Sequence, residues 1–329
     1  MNYPWLEEAQ QRFAERRANG RLAHACLISG PRGLGKVEFA LQLAADLLCL
    51  QQGPAACGAC RSCRLLVSGA HPDFKLITFE INSKTDKLRT VLVVDQIREL
   101  IAGLQLTRAL SPRKVAVIHP AEAMTPNASN ALLKMLEEPP VDTFLLLVSH
   151  DPARLPATIR SRCQAVHLRL PDEQTAREWI ASGHGYEAES IALALQATAG
   201  SPLEARQMLA TGQVDQYRTV VVLLARLAMS ENNIGEALAV LANLDPRATW
   251  KWLSLAAAAK LRACFDLSGE PASGKKTQAL AGPGVGNPER IAALQNLADR
   301  NRYSLSTSLH KDLLLRDWLI QWCRLVKDR

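Results

Sequence analysis

Short apolar runs alternate with amphipathic segments through the first half of the chain. Runs of mainly apolar residues predict buried strands, and apolar positions at three- and four-residue spacing predict helices. The pattern predicts strands at residues 26–29, 74–79, 115–118, 144–149 and 165–168, and helices at 36–48, 95–104 and 127–136. Because strands joined by crossover helices build a parallel sheet, we expect an α/β domain over residues 1–170.

The strand pattern ends after Leu170, and alanine- and leucine-rich helical segments continue to the end of the chain. Gly200-Ser201-Pro202 predicts a helix start, and Thr211-Gly212 predicts a helix end. We therefore predict a small helical domain at residues 171–211 and a second helical domain at residues 212–329.

Two segments of the last predicted domain have distinct compositions. Residues 268–288 are rich in glycine, proline, serine and lysine, which predicts a loop between helices. A helix is expected at residues 308–327, and one of its sides can carry the apolar residues Leu309, Leu313, Leu314, Trp318 and Trp322. An apolar side of this kind either packs inside its own domain or contacts another subunit.

Composition narrows the class of protein. The chain has 329 residues, of which 48% are hydrophobic and 22% charged, and this is typical of a globular protein with two or three domains. It contains neither a secretion signal nor an apolar run long enough to span a membrane, so we expect a cytoplasmic location and no membrane partner. The net charge of +7 is compatible with contact to nucleic acid or to an acidic partner.

A phosphate-binding loop is predicted directly after the first strand. Gly30, Gly33, Gly35 and Lys36 stand at the spacing at which backbone N–H groups, a helix N-terminus and a lysine surround phosphate groups. The next residue should be serine or threonine, because its hydroxyl binds Mg²⁺, but it is Val37. The loop is therefore degenerate, and its occupancy by nucleotide is a separate question.

A second feature of ATP hydrolysis is also missing. The strand at residues 115–118 should be followed by an acidic pair that holds the metal and polarises water, but His119 and Pro120 follow it. Glu122 lies close by, and a single glutamate at this point is more typical of a helix-end charge than of a catalytic base. These residues do not favour Mg²⁺-dependent hydrolysis.

A metal centre is predicted from four of the eight cysteines. Cys49, Cys57, Cys60 and Cys63 are spaced so that neighbouring thiolates can turn toward one ion, and four thiolates complete the tetrahedral shell of structural zinc. An iron–sulfur cluster is the alternative use of four thiolates. A zinc ion here would stabilise an insertion at residues 49–70, between the helix at 36–48 and the strand at 74–79.

Together these motifs resemble the delta-prime subunits of bacterial DNA polymerase III, which are members of the AAA+ clamp-loader family. The resemblance covers residues 22 to about 170, and the helical remainder fits the family's layout in general character. Besides the phosphate loop and the cysteines, it rests on residues 71–73 (His-Pro-Asp), 130–140 (Asn-Ala-Leu-Leu-Lys-Met-Leu-Glu-Glu-Pro-Pro) and 158–163 (Thr-Ile-Arg-Ser-Arg-Cys).

The resemblance implies an AAA+-like P-loop domain with a zinc insertion, then a helical lid, then a helical collar that holds subunits together. It implies a hetero-pentamer with gamma/tau-type and delta-type subunits, which opens a sliding clamp and places it on primed DNA. In this family ATP lies between neighbours, between the phosphate loop of one subunit and the Ser-Arg-Cys arginine of the next. The matching residue is Arg162, so the resemblance implies an arginine finger that acts on a neighbour's ATP.

Delta-prime subunits supply this arginine without hydrolysing ATP, and the residues at Val37, His119 and Pro120 agree with that role. Leu203 occupies the position at which ATP-using relatives carry a sensor arginine. The retained glycines and Lys36 are compatible with weak nucleotide binding without turnover. We therefore expect no ATPase or polymerase activity from the chain alone, although the resemblance makes it a subunit of a DNA-directed DNA polymerase holoenzyme.

Two other functions are compatible with parts of the sequence. One is an active ATPase of the gamma/tau type, which shares the phosphate loop and the cysteines but should have the missing metal ligands. The other is a zinc-containing DNA-binding module with a fossil ATPase core, which the positive charge favours modestly. Arg162 has a simpler alternative as well, an ion pair within its own domain. We expect instead that its own domain makes little use of this charge.

Overall fold

The computed structural model describes residues 3–51, 53–82, 85–229, 233–265, 287–303 and 311–327. The chain divides into two compact units. One consists of Met1–Trp179 with Ser201–Glu204, and the other of Ile180–Gly200 with Ala205–Arg329. The three-domain division expected from the sequence stays a prediction.

The first unit is built on a parallel sheet of five strands in the order β2-β5-β6-β1-β7, beside a separate antiparallel pair, β3-β4. The strands are β1 (Ala25–Ser29), β2 (Phe74–Ile77), β3 (Ile81–Asn82), β4 (Lys87–Leu88), β5 (Lys114–Ile118), β6 (Thr143–Ser149) and β7 (Gln164–His167). All five strands predicted from the apolar runs are confirmed, with ends that shift by one or two residues. The β3-β4 pair was not predicted.

Helices precede the first strand, connect the strands, and continue after β7. They are α1 (Glu7–Ala18), α2 (Lys36–Leu48), α3 (Arg61–Val67), α4 (Val94–Gln105), α5 (Pro126–Glu137), α6 (Ala157–Arg160), α7 (Glu173–His184), α8 (Ala188–Ala197), α9 (Pro202–Ala210), α10 (Gln213–Met229), α11 (Ile234–Ala242), α12 (Pro246–Phe265), α13 (Pro288–Tyr303) and α14 (Lys311–Lys327). The three helices predicted in the first half correspond to α2, α4 and α5. After Leu170 the described residues contain helices and no strand, as expected.

Successive side chains of a strand point to opposite faces of the sheet, so one strand can pack against helices on both faces. Helices cover both faces of this sheet. Ala25 and Leu27 of β1 pack in the apolar core that includes α4 and α5. Cys26 and Ile28 pack in the opposite core, which includes α1 and α2. Strands that are buried on both faces read as continuous apolar runs, and for this reason the sequence pattern located them.

The second unit buries two tryptophans of α14. Trp318 and Trp322 are 0% and 1% exposed, and their rings stack with centroids 5.4 Å apart. Their indole nitrogens donate hydrogen bonds to the carbonyl oxygens of Leu294 and Leu224. An outward-facing role for these tryptophans is therefore wrong, whereas Leu313 on the same helix is 63% exposed. Leu309 lies outside the described residues.

Two further observations bear on the predictions from sequence. Residues 268–286 of the predicted loop lie outside the described residues, and Pro288 begins α13. None of the helices in the described part of the chain is long and apolar enough to cross a membrane.

Candidate functional sites

The predicted phosphate loop lies between the carboxyl end of β1 and the first residue of α2. Gly33 and Gly35 have φ angles of +68° and +79°, a region that residues with a side chain rarely adopt. Gly35 is the residue before the first turn of α2, so the loop ends at the positive end of a helix. The backbone therefore has the features that an anion-binding loop requires.

Protein atoms approach this loop closely at both glycines. A Cβ atom at Gly33 would lie 2.0 Å from Ser201 Oγ, and one at Gly35 would lie 2.5 Å from the ring of Tyr3. The Ser201 hydroxyl donates to the Arg32 carbonyl oxygen at 2.9 Å, and the Leu203 N–H donates to the Gly33 carbonyl oxygen at 3.2 Å. Packing against protein is thus a sufficient reason for glycine at positions 33 and 35.

Lys36 is buried with its amine directed at the loop itself. The residue is 3% exposed, and its Nζ donates to the carbonyl oxygen of Pro31 at 2.5 Å. Burial lowers the pKa of Lys36 to about 8, and the Glu122 carboxylate opposes part of that decrease. The lysine keeps a positive charge within the loop at neutral pH.

The region in which a metal would contact the loop contains two histidines and one glutamate. His119 follows β5 and His150 follows β6, and their rings meet edge to face with centroids 5.2 Å apart. Glu122 Oε1 accepts the backbone N–H of His150 at 3.1 Å. Burial lowers the pKa of both imidazoles, to about 3 for His150, where Lys36 and Arg32 add to the decrease. Both rings are therefore neutral at pH 7.

Several buried polar atoms of this region have no hydrogen-bond partner among the described residues. They are His119 Nδ1, Glu122 Oε2, Ser149 Oγ and His150 Nδ1. Val37 lies on the first turn of α2 and offers no oxygen atom. Position 37 thus lacks the side-chain hydroxyl, and the residues directly after β5 lack the acidic pair, that hold Mg²⁺ in P-loop ATPases.

The four predicted cysteine ligands converge. Their sulfur atoms all lie within 4.8 Å of one another, and those of Cys49 and Cys60 are 3.9 Å apart. A tetrahedral ion with metal–sulfur bonds of about 2.3 Å separates its sulfurs by about 3.8 Å. Backbone N–H groups of Cys57, Cys60 and Cys63 point at cysteine sulfurs at 3.3–3.5 Å, which stabilises thiolates. The donor set fits one metal ion, whereas a cluster of several irons would hold the sulfurs farther apart.

The His-Pro-Asp motif connects this cysteine insertion to the sheet. The Asp73 carboxylate accepts the backbone N–H groups of Ala109, Leu110 and Ser111 at 2.7–2.8 Å. His71 Nε2 lies 2.9 Å from the Ser62 hydroxyl and 3.0 Å from that of Ser111. Both hydroxyls donate to the carbonyl oxygen of Leu48 at 2.7 Å. This buried network fixes the start of α3 relative to the end of α2.

Arg162 lies between α6 and β7. Its Nε and Nη2 donate to Glu137 Oε1 at 2.8 and 2.5 Å, and its Nη1 donates to the Thr158 carbonyl oxygen at 2.9 Å. The expectation that its own domain makes little use of this charge is wrong, because Glu137 neutralises it. The Arg162 side chain is nevertheless 34% exposed.

The parallel sheet with a glycine-rich loop between β1 and α2 defines the chain as a P-loop α/β protein. The family model described as DNA polymerase III, delta subunit, matches residues 5–172. DNA polymerase III subunit delta′ of Pseudomonas aeruginosa is 42% identical over 221 residues, which cover 67% of this chain and 65% of that protein. The same subunit of Yersinia pestis is 34% identical over 260 residues, which cover 77% and 74%. The chain belongs to the DNA polymerase III delta-prime subunit family.

The match to the Pseudomonas protein spans slightly less than two thirds of that protein's length. Among solved structures, a DNA polymerase III gamma subunit-related protein of Thermotoga maritima matches 97% of this chain and 99% of its own. That similarity has a TM-score of 0.48 and 17% identity.

Sequence reasoning missed several residues of these sites. Glu137 belongs to the recognised motif at 130–140, but its pairing with a residue 25 positions away carries no sequence signal. Tyr3 precedes the first strand in a segment without a motif. His150 directly follows a predicted strand, and the rule that sites lie at the carboxyl ends of parallel strands could have indicated it.

Proposed function

We propose that the chain is a non-hydrolysing subunit of the DNA polymerase III clamp loader. In this role it assembles with gamma/tau-type and delta-type subunits in a hetero-pentamer and helps to place the sliding clamp on primed DNA. Membership in the delta-prime family supports the proposal, and residues 212–329 are the collar through which it assembles. Contact with the clamp and with DNA is made through the complex.

The absence of ATP turnover follows from the chemistry of the loop. Phosphoryl transfer depends almost entirely on positioning and on neutralisation of charge by metal ions and cationic groups. Val37 offers no hydroxyl, and His119 and Pro120 offer no carboxylate, so no metal is positioned against the phosphates. Nucleotide binding at Gly30, Gly33, Gly35 and Lys36 is then weak and unproductive.

The observation that carries the proposal is the partly exposed side chain of Arg162 in a chain whose phosphate loop has no Mg²⁺-binding hydroxyl at position 37 and no acidic pair after β5. A guanidinium is always charged and can donate two hydrogen bonds to a phosphate group. From the segment between α6 and β7, Arg162 completes an ATP site that begins with the phosphate loop of a neighbouring subunit. It acts as an arginine finger in trans.

Zinc is the metal that we propose for Cys49, Cys57, Cys60 and Cys63. Four thiolates around one ion leave no open position, so the role of the ion is structural. When bound, zinc joins the end of α2 to the start of α3 and stabilises the insertion at residues 49–70.

Reconstitution tests this function directly. Native mass spectrometry of the chain mixed with gamma/tau-type and delta-type subunits should show one copy in a five-subunit complex. With Arg162→Ala, assembly should be unchanged, and ATP hydrolysis by the loader on primed DNA should fall. An arginine finger contributes about 10³- to 10⁵-fold where it acts fully, and the loss in the total rate is smaller because other sites of the ring remain intact.

The arginine variant also separates charge from geometry. Arg162→Lys keeps the charge but loses the two-pronged donor, so it should restore little activity. Equal rates for the wild-type, alanine and lysine chains, at equal assembly, would reject the finger. A chain that fails to enter the complex would reject the clamp-loader function as a whole.

A further inference from the structure

The inference concerns the carboxylate that holds Arg162. Glu137 is the last residue of α5, and its Oε1 atom accepts hydrogen bonds from both Nε and Nη2 of Arg162. The carbonyl oxygen of Thr158 in α6 accepts a third, from Nη1. Two acceptors on two different helices therefore fix the plane of one guanidinium.

These contacts leave part of the guanidinium unused. The group has five N–H donors in a rigid fork, and three of them are engaged by Glu137 and Thr158. The other two, one on each terminal nitrogen, have no partner in the described part of the chain. Because the fork is planar, fixing its Nε–Nη2 edge also fixes the direction of the remaining donors.

The Glu137 carboxylate contributes little to folding. Its side chain is 49% exposed and that of Arg162 is 34% exposed, and ion pairs at such positions add little to stability because solvent screens them. The main effect of the Glu137–Arg162 contact is then to orient the guanidinium. It removes the rotational freedom of the long Arg162 side chain, which matters for a group that has to meet a phosphate.

We propose that Glu137 is a positioning residue for Arg162. The proposal rests on the proposed function, because the occupant of the two remaining donors is the phosphate group of a nucleotide bound to the neighbouring subunit. Glu137 holds the guanidinium in the orientation in which both terminal donors face that phosphate, and it does not contact the nucleotide itself. Loss of the carboxylate leaves the charge present but disoriented.

The test uses the reconstituted loader with four chains: wild type, Glu137→Gln, Arg162→Ala and the double variant. Glu137→Gln should lower the kcat for ATP hydrolysis on primed DNA by about threefold to tenfold and leave KM for ATP unchanged, because orientation matters at the transition state. In the Arg162→Ala background the glutamine substitution should have no further effect, since the two residues act as a unit. Glu137→Asp should recover part of the loss.

Glu138→Gln is the matched control, because it removes one exposed carboxylate from the adjacent residue, which makes none of the Arg162 contacts described above. It should leave the rate unchanged. Equal thermal midpoints and equal incorporation into the loader establish that the variants fold and assemble.

The outcomes separate the two proposals. If Arg162→Ala leaves the rate unchanged, the arginine finger fails and the positioning role fails with it. If Arg162→Ala lowers the rate but Glu137→Gln does not, positioning alone is rejected. A higher rate with Glu137→Gln would also overturn it, because it would mean that the carboxylate restrains the arginine.

Discussion

At the scale of single residues, Asp73 shows how a short motif acts through hydrogen bonds. It is 5% exposed, and three backbone N–H groups of the segment before β5 donate to its carboxylate. Burial alone would raise the pKa of Asp73, but the N–H donors of Ser111, Ala109 and Leu110 hold it below its usual value. The charged form therefore stabilises the folded chain.

Asp73→Ala should lower the free energy of unfolding at pH 7 by about 3 kcal/mol, because it leaves buried N–H groups without an acceptor. A depressed pKa stabilises the fold above the unfolded-state pKa of about 3.9, and this contribution is lost as pH falls through the folded-state value. In urea denaturation, the difference in unfolding free energy between the wild-type and Asp73→Ala chains should be complete from pH 5 to pH 7 and smaller below about pH 4. Asp95→Ala, at an exposed carboxylate of α4, should change stability little.

Gly33 tests whether the phosphate loop is shaped by packing. Gly33→Ala should destabilise the chain through both its positive φ and the contact with Ser201 Oγ. Gly20→Ala is a matched control, because Gly20 has φ +64° and a Cβ there would meet nothing within 4 Å. We expect the Gly33 variant to lose about 1–3 kcal/mol more than the control in denaturant unfolding. Equal losses would show that packing at Gly33 is unimportant.

Residue types and spacing predicted the positions of the site residues better than they predicted which side chains contact each other. The spacing of Cys57, Cys60 and Cys63 predicted a shared site, because two-residue gaps constrain thiolates locally, and Cys49 at the end of α2 completes the group. The pairing of Arg162 with Glu137 depends on how α5 and α6 pack, which no local pattern encodes. The apolar residues of α14 illustrate the same limit, since periodicity locates an apolar side but not what covers it.

At the scale of elements, the apolar runs located β1, β5 and β6 because these strands are buried on both faces, and they also located the partly exposed edge strands β2 and β7. The β3-β4 pair was not predicted, because each strand has only two residues and all of them except Asn82 are exposed. The bounds of α5 followed from local chemistry: the Thr125 hydroxyl accepts the Ala128 N–H, and Pro126 occupies the first turn. Helices with capping residues and strands buried on both faces are therefore the elements that can be predicted from sequence.

The cysteine insertion is the element whose stability we expect to depend on metal. We predict one zinc per chain, and Cys60→Ser should abolish tight binding because the tetrahedral shell loses a ligand. Binding of this type contributes on the order of 10 kcal/mol, so removal of zinc by a chelator should expose residues 49–70 to proteolysis. Metal analysis by mass spectrometry measures the first effect and limited digestion the second.

Cys264→Ser is the control for the zinc prediction, because Cys264 lies in α12 and outside the four-sulfur group. It should retain a full equivalent of zinc. A wild-type chain purified without metal, or a Cys60→Ser chain that keeps its zinc, would contradict the assignment.

At the scale of the whole molecule, the surfaces through which the chain contacts other subunits are the hardest feature to predict from the chain alone. Of the apolar residues predicted for one side of α14, Trp318 and Trp322 are internal, whereas Leu313 is exposed. Leu313→Asp should weaken entry into the loader without unfolding the chain, because it would place a charge on the contact surface that we propose for this side of α14. Val67→Asp, at an exposed valine of α3, should leave assembly unchanged. If the Leu313→Asp chain enters the loader with unaltered affinity, this side of α14 does not contact another subunit.

The central claim is that the chain contributes to ATP hydrolysis through Arg162 and not through its own phosphate loop. One comparison tests it most directly: the ATPase rate of the reconstituted loader on primed DNA with either Lys36→Ala or Arg162→Ala in this subunit. We expect a nearly unchanged rate for Lys36→Ala, a reduced rate for Arg162→Ala, and no turnover by the isolated chain. Turnover by the isolated chain that Lys36→Ala abolishes, together with a normal loader rate for Arg162→Ala, would contradict it.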